Sequence, residues 1–223
     1  KKGYTFNSGT DTEVILASYI EWGRDCVNKF NGMWGFAILD KKNNQIFCSR
    51  DRFGVKPFYF FSDSKKFIAG SEIKQITPYL ESNTLNNKVF EHFLLTSLVD
   101  HTEETFFNGI RTLNPSENLI FDLSDHSYTT EKYFDLVPED LSSMSDREIQ
   151  ERYDQVLTNA IKLRLRSDVK VGTCLSGGLD SSTVAAKASE LYINDNKFNA
   201  IHGQAIEKSN DESSYAIEVA NNS

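Results

Sequence analysis

The stretch Val171–Ala188, VGTCLSGGLDSSTVAAKA, contains the residues whose types and spacing are best suited to chemistry. Its two adjacent glycines, Gly177 and Gly178, let the backbone approach a ligand closely and adopt positive φ angles. Three hydroxyl side chains surround the same turn: Ser176, Ser181 and Ser182. The turn leads directly into a predicted helix, whose first N–H groups and positive dipole end would face the turn. The sequence therefore predicts an anion site suited to phosphate oxygens.

Asp180 lies inside this turn and gives it a second chemical character. A carboxylate there is suited either to cap the helix or to hold a Mg²⁺ ion that bridges to phosphate. No lysine follows the glycines, so the G-x-x-x-x-G-K-[ST] pattern of loops that bind a γ-phosphate is absent. A serine-rich turn with a helix cap is the structural alternative for the same residues.

The elements on either side of the turn predict a parallel α/β unit. A helix is predicted from Ser145, with apolar residues on one face, and it is followed by the strand VKVGTCLS, the turn, the helix SSTVAAKASELYI and the strand FNAIHGQAI. Strand, helix and strand in this order are typical of a parallel sheet. The preceding residues, VPEDLSSMSDRE, have the composition of a linker.

The first part of the chain has a different pattern. A helix, DTEVILASYIEWG, is predicted from the spacing of Ile15, Tyr19 and Trp22, with Thr10 or Thr12 as its cap. Four short strands follow and are expected to form an antiparallel meander: MWGFAILD, QIFCSRD, PFYFFSD and KFIAGSE. Next come an apolar helix and two further strands: NKVFEHFLLTSL, ENLIFDL and YTTEKYF.

Composition restricts the classes of function. The 223 residues carry a net charge of −8, which argues against nucleic acid or an anionic membrane as the main partner. No segment is apolar over the ~18 residues that a membrane span needs, and the N-terminal residues show no signal peptide pattern. Cys26, Cys48 and Cys174 have no metal-ligand spacing, so they are expected to be reduced thiols of a cytoplasmic protein.

Several motifs resemble one known family. SGGLDSS is similar to the pyrophosphate loop of ATP-pyrophosphatases, enzymes that cleave ATP between its α- and β-phosphates. SGTDTEVILASYIEWG, FNGMWGFAILD, RDRFGVKPFYF and SEIK resemble the glutaminase domain of glutamine-hydrolysing asparagine synthetases. RLRSDVKVGTCLSGGLDSS and DESSYAIEVA resemble the start of their synthetase domain. The likeness covers nearly the whole chain in the family's order.

The resemblance implies a fold of α+β followed by α/β. Residues 1–136 would be the C-terminal part of an Ntn-type glutaminase with an αββα sandwich, a class II glutamine amidotransferase domain. Residues 137–146 would be a linker. Residues 147–223 would begin a parallel-sheet ATP-pyrophosphatase domain.

The resemblance also implies an ATP-dependent carbon–nitrogen ligase. A glutaminase site would release ammonia from glutamine, and a second site would adenylate aspartate with ATP and Mg²⁺. Ammonia would then displace AMP from the β-aspartyl adenylate. The expected partners are glutamine, aspartate and ATP, without nucleic acid or membrane, and a homodimer is the expected assembly.

Site residues carry over from the family by position. Asp11 would hold the α-amino group of glutamine, although an acid in the first turn of a helix also has a purely structural explanation. Cys174 and Ile206 would contact ATP from two neighbouring strands, the alternative for both being sheet core. The pyrophosphate loop would consist of Ser176, Gly177, Gly178, Leu179, Asp180, Ser181 and Ser182, with Asp180 as the metal ligand.

The catalytic nucleophile of the family is an N-terminal cysteine, and Lys1 occupies the first position here. No catalytic residue is therefore assigned, and the sequence is expected to be an interior fragment of a longer chain that is inactive alone. Cys26 and Cys48, on a helix end and a strand, are not expected to replace the nucleophile. Two other hypotheses remain: an amidotransferase that acts on another carboxylate, and a module that keeps the fold without its activity.

Overall fold

The computed structural model describes residues 3–192, 198–207 and 211–222. The chain divides into two compact units, of which the first ends at Val137 and the second begins at Pro138.

The first unit contains two helices and seven strands in the described residues. In chain order these are α1 (Asp11–Trp22), β1 (Gly35–Asp40), β2 (Gln45–Arg50), β3 (Tyr59–Ser62), β4 (Phe67–Gly70), α2 (Asn87–Thr96), β5 (Ile110–Thr112), β6 (Glu117–Asp122) and β7 (Tyr128–Lys132). Thr10, one of the two predicted caps, is the N-cap residue of α1, but its side chain makes no capping hydrogen bond to the described residues. Both helices lie where their apolar patterns predict them.

The strands form two antiparallel sheets, ordered β1-β2-β6-β7 and β4-β3-β5. The expected four-strand meander is therefore wrong at one point, because β2 pairs with β6 and β3 pairs with β5 rather than with each other. The loop between β2 and β3 instead carries the chain from one sheet to the other. Strand β5, which the sequence did not predict, supplies the third strand of the second sheet.

Neighbouring residues of β2 contribute to two different cores. Phe47 is fully buried and packs with Cys26, Val27, Trp34 and Ile38, while α1 adds Ile15 and Tyr19 to the edge of this cluster. Cys48 points to the opposite face, since side chains alternate along a strand. That face packs against Phe60 of the second sheet and against Phe58, which lies just before β3. The first sheet thus lies between a helical layer and a second sheet.

The RDRFG segment after β2 connects these layers through hydrogen bonds. Asp51 is 1% exposed. One carboxylate oxygen accepts N–H groups from Phe53 and Val55, and the other accepts those of Trp34 and Lys56. The neighbouring Arg50 donates to four acceptors: the carbonyls of Gly54, Lys56 and Leu113 and the hydroxyl of Thr112. The segment therefore ties the end of β2 to the loop that follows it.

The second unit is built around a parallel strand pair. Its described elements are α3 (Asp146–Arg164), β8 (Gly172–Cys174), α4 (Leu179–Leu191), β9 (Asn199–Ile201) and α5 (Ser213–Asn222). Ser145 and Glu148 form a capping box that starts α3. Strands β8 and β9 pair in parallel, with α4 between them in the chain, so the predicted strand–helix–strand unit is present. Leu175, Ala185 and Ala216 form its small core.

None of the helices in the described residues has both the length and the apolar character that a bilayer span requires.

Candidate functional site

The glycine turn lies between β8 and α4, and its backbone requires glycine at one position. Gly177 has a φ of +93°, a conformation that side-chain-bearing residues rarely adopt. A Cβ atom at this residue would lie 2.6 Å from the Cβ of Tyr215 and 2.9 Å from the backbone nitrogen of Ala216. The turn can therefore lie against the start of α5 only because residue 177 has no side chain. At Gly178 the nearest atom to an added Cβ is 3.5 Å away, which is an ordinary contact.

The hydroxyls of Ser176 and Ser181 are hydrogen-bonded to each other across the turn. The Oγ atoms of Ser176 and Ser181 are 2.9 Å apart, and the backbone N–H of Ser176 also donates to Ser181 Oγ. Ser181 in turn donates its hydrogen to the carbonyl of Gly178 at 3.1 Å. The Ser176 hydroxyl is exposed, so it can exchange its bond to Ser181 for a bond to a ligand.

The N-terminus of α4 adds backbone donors to the same place. Gly178 is its N-cap residue, and no side chain of the described residues caps the helix. Because the first N–H groups of a helix have no acceptor within it, those of the first turn are available to an anion. The buried Ser182 Oγ also has no hydrogen-bond partner in the described part of the chain. The turn, the hydroxyls of Ser176 and Ser181 and the start of α4 thus place several hydrogen-bond donors close together in the chain.

Asp180 is exposed in the first turn of α4 and is the single carboxylate of the loop. Within the described ranges, no group of three or more His, Cys, Asp or Glu side chains is arranged to hold a metal ion. A cation at Asp180 would therefore have to take its remaining ligands from phosphate oxygens, hydroxyls and water.

The structure brings Cys174 to the edge of this turn but does not bring Ile206 there. Cys174 ends β8 and is exposed, and its partner in the parallel register is Ile201. Ile206 lies five residues beyond that position and is fully exposed, outside β9. The expectation that Ile206 lies on the neighbouring strand is wrong, because β9 ends at Ile201. The sheet-core alternative is also wrong for both Cys174 and Ile206, since neither side chain is buried.

In the first unit, Asp11 is the first residue of α1 and is exposed. The preceding loop is held by Glu13, whose carboxylate accepts the N–H groups of Asn7 and Ser8 and the Ser8 hydroxyl. The Ser8 hydroxyl bond and these N–H groups lower the pKa of Glu13. Asp11 makes no hydrogen bond or ion pair to the described residues, so its carboxylate remains available for a cationic ligand.

The two cysteines of the first unit are unsuited to nucleophilic chemistry. Cys26 and Cys48 are both fully buried. Burial raises the pKa of Cys26 to about 11 and raises that of Cys48 further. Since the thiolate is the reactive form, neither residue supplies a nucleophile at neutral pH. The expectation that they do not replace an N-terminal cysteine is consistent with this burial.

One contact of the glycine turn was missed in the sequence analysis. His202 follows β9, and its Nδ1 lies 2.7 Å from the carbonyl oxygen of Leu175, the residue before Ser176. The histidine is 27 positions away in the chain, and neither its spacing nor its neighbours mark it as a partner of the turn. Only the parallel pairing of β8 and β9 brings the two residues together.

Comparison with known proteins decides the family. Residues 1–134 match the model of the glutamine amidotransferase domain. The chain belongs to this family. Residues 152–223 match the model of asparagine synthase, which begins within α3 and includes the glycine turn. The two matches occur in the order in which glutaminase and synthetase motifs were found, so the resemblance to glutamine-hydrolysing asparagine synthetases is confirmed.

Curated relatives agree with both matches. The chain is 43% identical over 187 residues to a putative glutamine-hydrolysing asparagine synthetase 2 of Methanocaldococcus jannaschii, with 82% of this chain and 36% of the relative covered. It is 36% identical over 199 residues to the glutamine-hydrolysing asparagine synthetase 3 of Bacillus subtilis, with 88% and 32% covered. It is 31% identical over 193 residues to the amidase chry2 of Gibberella zeae, with 84% and 26% covered. The chain thus spans about a third of the length of the first two relatives.

Proposed function

We propose that this chain is part of a glutamine-dependent asparagine synthetase, an ATP-dependent carbon–nitrogen ligase. One observation carries the proposal: a glutamine amidotransferase match and an asparagine synthase match follow each other in one chain. The second match includes a strand–turn–helix junction that carries the hydroxyls of Ser176 and Ser181 and an uncapped helix start. Glutamine, aspartate and ATP are the proposed substrates.

In the proposed reaction, a side-chain carboxylate oxygen of aspartate must first be converted into a good leaving group. An oxygen of the aspartate side chain attacks the α-phosphorus of ATP, and the bond to the β-phosphate breaks with release of pyrophosphate. Ammonia from glutamine then attacks the activated carbonyl carbon, and AMP leaves with the former carboxylate oxygen. The first step places growing negative charge on pyrophosphate. Donors fixed before the reaction stabilise such charge most effectively.

The glycine turn is the proposed holder of pyrophosphate. Ser176 and Ser181 would bind phosphate oxygens through their hydroxyls, and Gly177, Gly178 and the start of α4 would add backbone N–H groups. Ser182 is included in the proposed loop by its position in the motif, and its buried hydroxyl has no hydrogen-bond partner among the described residues. Leu179, 83% exposed, would contribute its backbone rather than its side chain.

The donors around Asp180 fit Mg²⁺ in the form that accompanies nucleotides. Mg²⁺ prefers one or two carboxylates together with phosphate oxygens and water, which is the set that a lone exposed Asp180 allows. When bound, the ion would neutralise phosphate charge. Asp180 would hold it at the first turn of α4, next to the hydroxyl of Ser181.

Cys174 is a proposed contact of ATP at the end of β8, and Ile206 is a proposed contact from the segment after β9. Cys174 ends a parallel strand, and ligands of open α/β sheets bind beyond the carboxyl ends of such strands. Ile201 occupies the matching position on β9 and is 71% exposed. We add Ile201 to the proposed set, because Ile206 would have to reach the nucleotide from the segment after β9.

In the glutaminase part, Asp11 is the proposed partner of the α-ammonium group of glutamine. Its exposed carboxylate, without a partner in the described residues, suits an ammonium ligand. The layering of α1, the β2 sheet and the β3 sheet supports the proposal that residues 1–136 are part of an Ntn-type αββα sandwich. No residue of this chain is proposed as the catalytic nucleophile.

We propose residues 137–146 as the linker and residues 147–223 as part of an ATP-pyrophosphatase domain. The parallel β8–β9 pair with α4 between its strands supports the second assignment. Leu136 and Val137 are 70% and 86% exposed, which suits a cleavable segment. Limited proteolysis should cut within 137–146 before it cuts in β1–β4, and preferred early cleavage between 30 and 75 would contradict these boundaries.

The proposed location is the cytoplasm, because three unpaired thiols are typical of a reducing compartment. A homodimer is also proposed, and sedimentation of the full-length protein carrying this sequence would test it. An exclusively monomeric protein at micromolar concentration would contradict the dimer.

A second candidate acts on a different carboxylate. The relative from Gibberella zeae is named an amidase rather than an asparagine synthetase, although it matches 84% of this chain. The same pyrophosphate loop could serve adenylation of another acid. A third hypothesis, a module that keeps the fold and has lost activity, predicts no nucleotide chemistry at all.

Acid-dependent exchange of labelled pyrophosphate into ATP distinguishes these functions. The full-length protein carrying this sequence is assayed with MgATP and a panel of acids that includes aspartate, glutamate and larger carboxylates. Exchange with aspartate alone is the expected result. Exchange with another acid but not with aspartate would establish the second candidate. No exchange with any acid, from a folded protein, would contradict both enzymatic hypotheses.

A further inference from the structure

Glu13 lies in the first turn of α1 and holds the loop that leads into this helix. One oxygen of its carboxylate, Oε2, accepts the N–H of Ser8 at 2.7 Å and the Ser8 hydroxyl at 2.6 Å. The backbone nitrogen of Asn7 lies 3.1 Å from each of the two carboxylate oxygens and donates its hydrogen to them. Three donors of the loop therefore converge on a side chain that belongs to the helix.

The direction of these hydrogen bonds extends the contact to the residue before Asp11. The Oγ atom of Ser8 and the Oγ1 atom of Thr10 are 3.0 Å apart, and the Thr10 N–H donates to the same Ser8 oxygen at 3.4 Å. Because Ser8 gives its own hydrogen to Glu13, Thr10 must be the donor in the hydroxyl pair. A directed path thus runs from Thr10 through Ser8 to Glu13, and Asp11 follows Thr10 directly in the chain.

The side chain of Glu13 suits these donors because it is ionised. The hydrogen bond from the Ser8 hydroxyl, and after it those from the N–H groups of Asn7 and Ser8, lower the pKa of Glu13 below its ordinary value. An ionised carboxylate carries no hydrogen and accepts at both oxygens, so it accommodates all three donors at once. Hydrogen bonds to a charged acceptor are roughly twice as strong as neutral ones.

Packing contributes little to the conformation of this loop. Its residues, 7–10, are all exposed. Gly9 lies between Ser8 and Thr10, and a Cβ atom added to it would have no neighbour within 4 Å among the described residues. Glycine loses more conformational freedom on ordering than any other residue. The conformation of the loop therefore depends on its hydrogen bonds.

Helix α1 itself is fixed to the first sheet and gives Glu13 a rigid base. The Tyr19 hydroxyl donates to the carboxylate of Asp40 at 3.0 Å and accepts from Gln45 at 3.2 Å. The Tyr19 ring also stacks on the ring of Phe47, with the ring centres 5.2 Å apart. The hydrogen bonds of Glu13 therefore tie the loop to an element that is anchored in the core of the first unit.

We propose that Glu13 is a positioning residue of the glutamine site, which fixes the loop of residues 7–10 so that Asp11 is held ready for the α-ammonium group. The inference rests on the proposed function for the role of Asp11 and adds the residue that acts through it. The carboxylate of Glu13 is occupied by three donors of the chain, so it is not itself the partner of the ammonium group. A loop that is ordered in advance spares glutamine binding the cost of ordering it.

Hydrogen exchange of the loop amides tests the hydrogen bonds of Glu13 in the full-length protein carrying this sequence. The amides of Asn7 and Ser8 donate to Glu13, so Glu13→Ala should accelerate their exchange about tenfold. The amides of β2, which are bonded within the sheet, should exchange as in the wild type. Unchanged exchange at Asn7 and Ser8 in Glu13→Ala would overturn the proposal.

Three substitutions separate the reach of the side chain from its charge. Glu13→Ala removes the acceptor, whereas Glu13→Asp keeps a charge that the helix dipole favours but is one methylene too short to reach Ser8. Glu13→Gln keeps an oxygen for Ser8 and places an amide nitrogen towards the N–H of Asn7. The KM for glutamine should therefore rise about tenfold in Glu13→Ala and Glu13→Asp and less in Glu13→Gln, with kcat near wild type. A wild-type KM in Glu13→Asp would contradict the positioning role.

Glu148→Ala is the matched control, because Glu148 accepts the N–H and the hydroxyl of Ser145 at the start of α3 in the same way. It should leave the KM for glutamine unchanged. In an Asp11→Asn background, Glu13→Ala should add little to the KM, since it acts through Asp11; fully independent effects would overturn the proposal. An unchanged KM in Asp11→Asn would overturn the role of Asp11 and the positioning role with it. A raised KM in Asp11→Asn with a wild-type KM in Glu13→Ala would overturn only the role of Glu13.

Discussion

Substitution of the two loop glycines tests whether the turn has the geometry described here. Gly177→Ala places a methyl group 2.6 Å from the Cβ of Tyr215 and 2.9 Å from the nitrogen of Ala216, at a φ of +93°. A strained backbone of this kind costs about 1–3 kcal/mol. Relief of the contact by movement of α5 adds about 1–3 kcal/mol, by analogy with overpacked cores. We therefore expect the free energy of unfolding of the second unit to fall by about 3 kcal/mol.

Gly178→Ala is the matched control. Its φ is −69°, and the nearest atom to the added methyl group is 3.5 Å away. The expected loss of stability is about 1 kcal/mol or less, because the one unfavourable effect is that alanine is a poorer N-cap residue than glycine. Both variants change one glycine of the same turn to alanine. They therefore differ only in the backbone conformation at the substituted residue and in the contacts that the added methyl group makes.

Urea denaturation followed by two signals separates the stability of the second unit from that of the first. The two tryptophans, Trp22 and Trp34, both lie in the first unit, so their fluorescence follows that unit alone. Hydrogen exchange of the α4 and α5 amides follows the second unit. Gly177→Ala should accelerate exchange in α5 and leave the tryptophan transition unchanged. Equal stability of the two variants would refute the close approach of the turn to α5.

Two further predictions concern side chains of the other parts of the fold. Exposed Cys174 should be alkylated rapidly in the native protein at neutral pH, whereas Cys26 and Cys48 should react only after denaturation or, for Cys26, as the pH approaches its raised pKa of about 11. Mass spectrometry of the alkylated protein measures the labelling of each cysteine. Rapid labelling of Cys48 in the native protein would contradict the packing of β2. Asp51→Asn should lower the free energy of unfolding by about 3 kcal/mol or more, as measured by urea denaturation. In the wild type, one carboxylate oxygen accepts hydrogen bonds from the backbone N–H groups of Trp34 and Lys56. In asparagine an NH₂ group, which cannot accept, would replace one of the two carboxylate oxygens. Asp63→Asn is its control, since a single oxygen of Asp63 accepts both of its backbone bonds and asparagine keeps that oxygen; equal losses in the two variants would contradict the role of Asp51.

Local features of the fold were predictable from sequence. The capping box of α3 and the helices α1 and α2 follow from patterns within a few residues. The glycine turn was predictable for the same reason, because a strand, two glycines and a helix start are neighbours in the chain. Its glycines and hydroxyl residues predict a phosphate site, which stays a prediction.

Non-local pairing was not predictable. The partner of β2 is β6, about 70 residues later, and no short-range pattern distinguishes that pairing from a pairing with β3. Strand β5 has only three residues, so its alternation is too short to detect. Ile206 was misplaced because the end of β9 is set by its pairing with β8, which places Ile201 beside Cys174. His202 was missed for the same reason.

Pyrophosphate release by Asp180→Asn tests the central claim most directly. The full-length protein carrying this sequence is assayed with MgATP, aspartate and glutamine, and glutamine hydrolysis is measured in the same samples. If Asp180 holds the metal, pyrophosphate release should fall about 100-fold or more, while glutamine hydrolysis and thermal stability stay near wild type. If Asp180 interacted only with the dipole of α4, whose N-cap residue is Gly178, the substitution would lower thermal stability slightly and leave pyrophosphate release unchanged. Normal pyrophosphate release by Asp180→Asn would contradict the metal role, and normal release by Ser176→Ala as well would contradict the phosphate site itself.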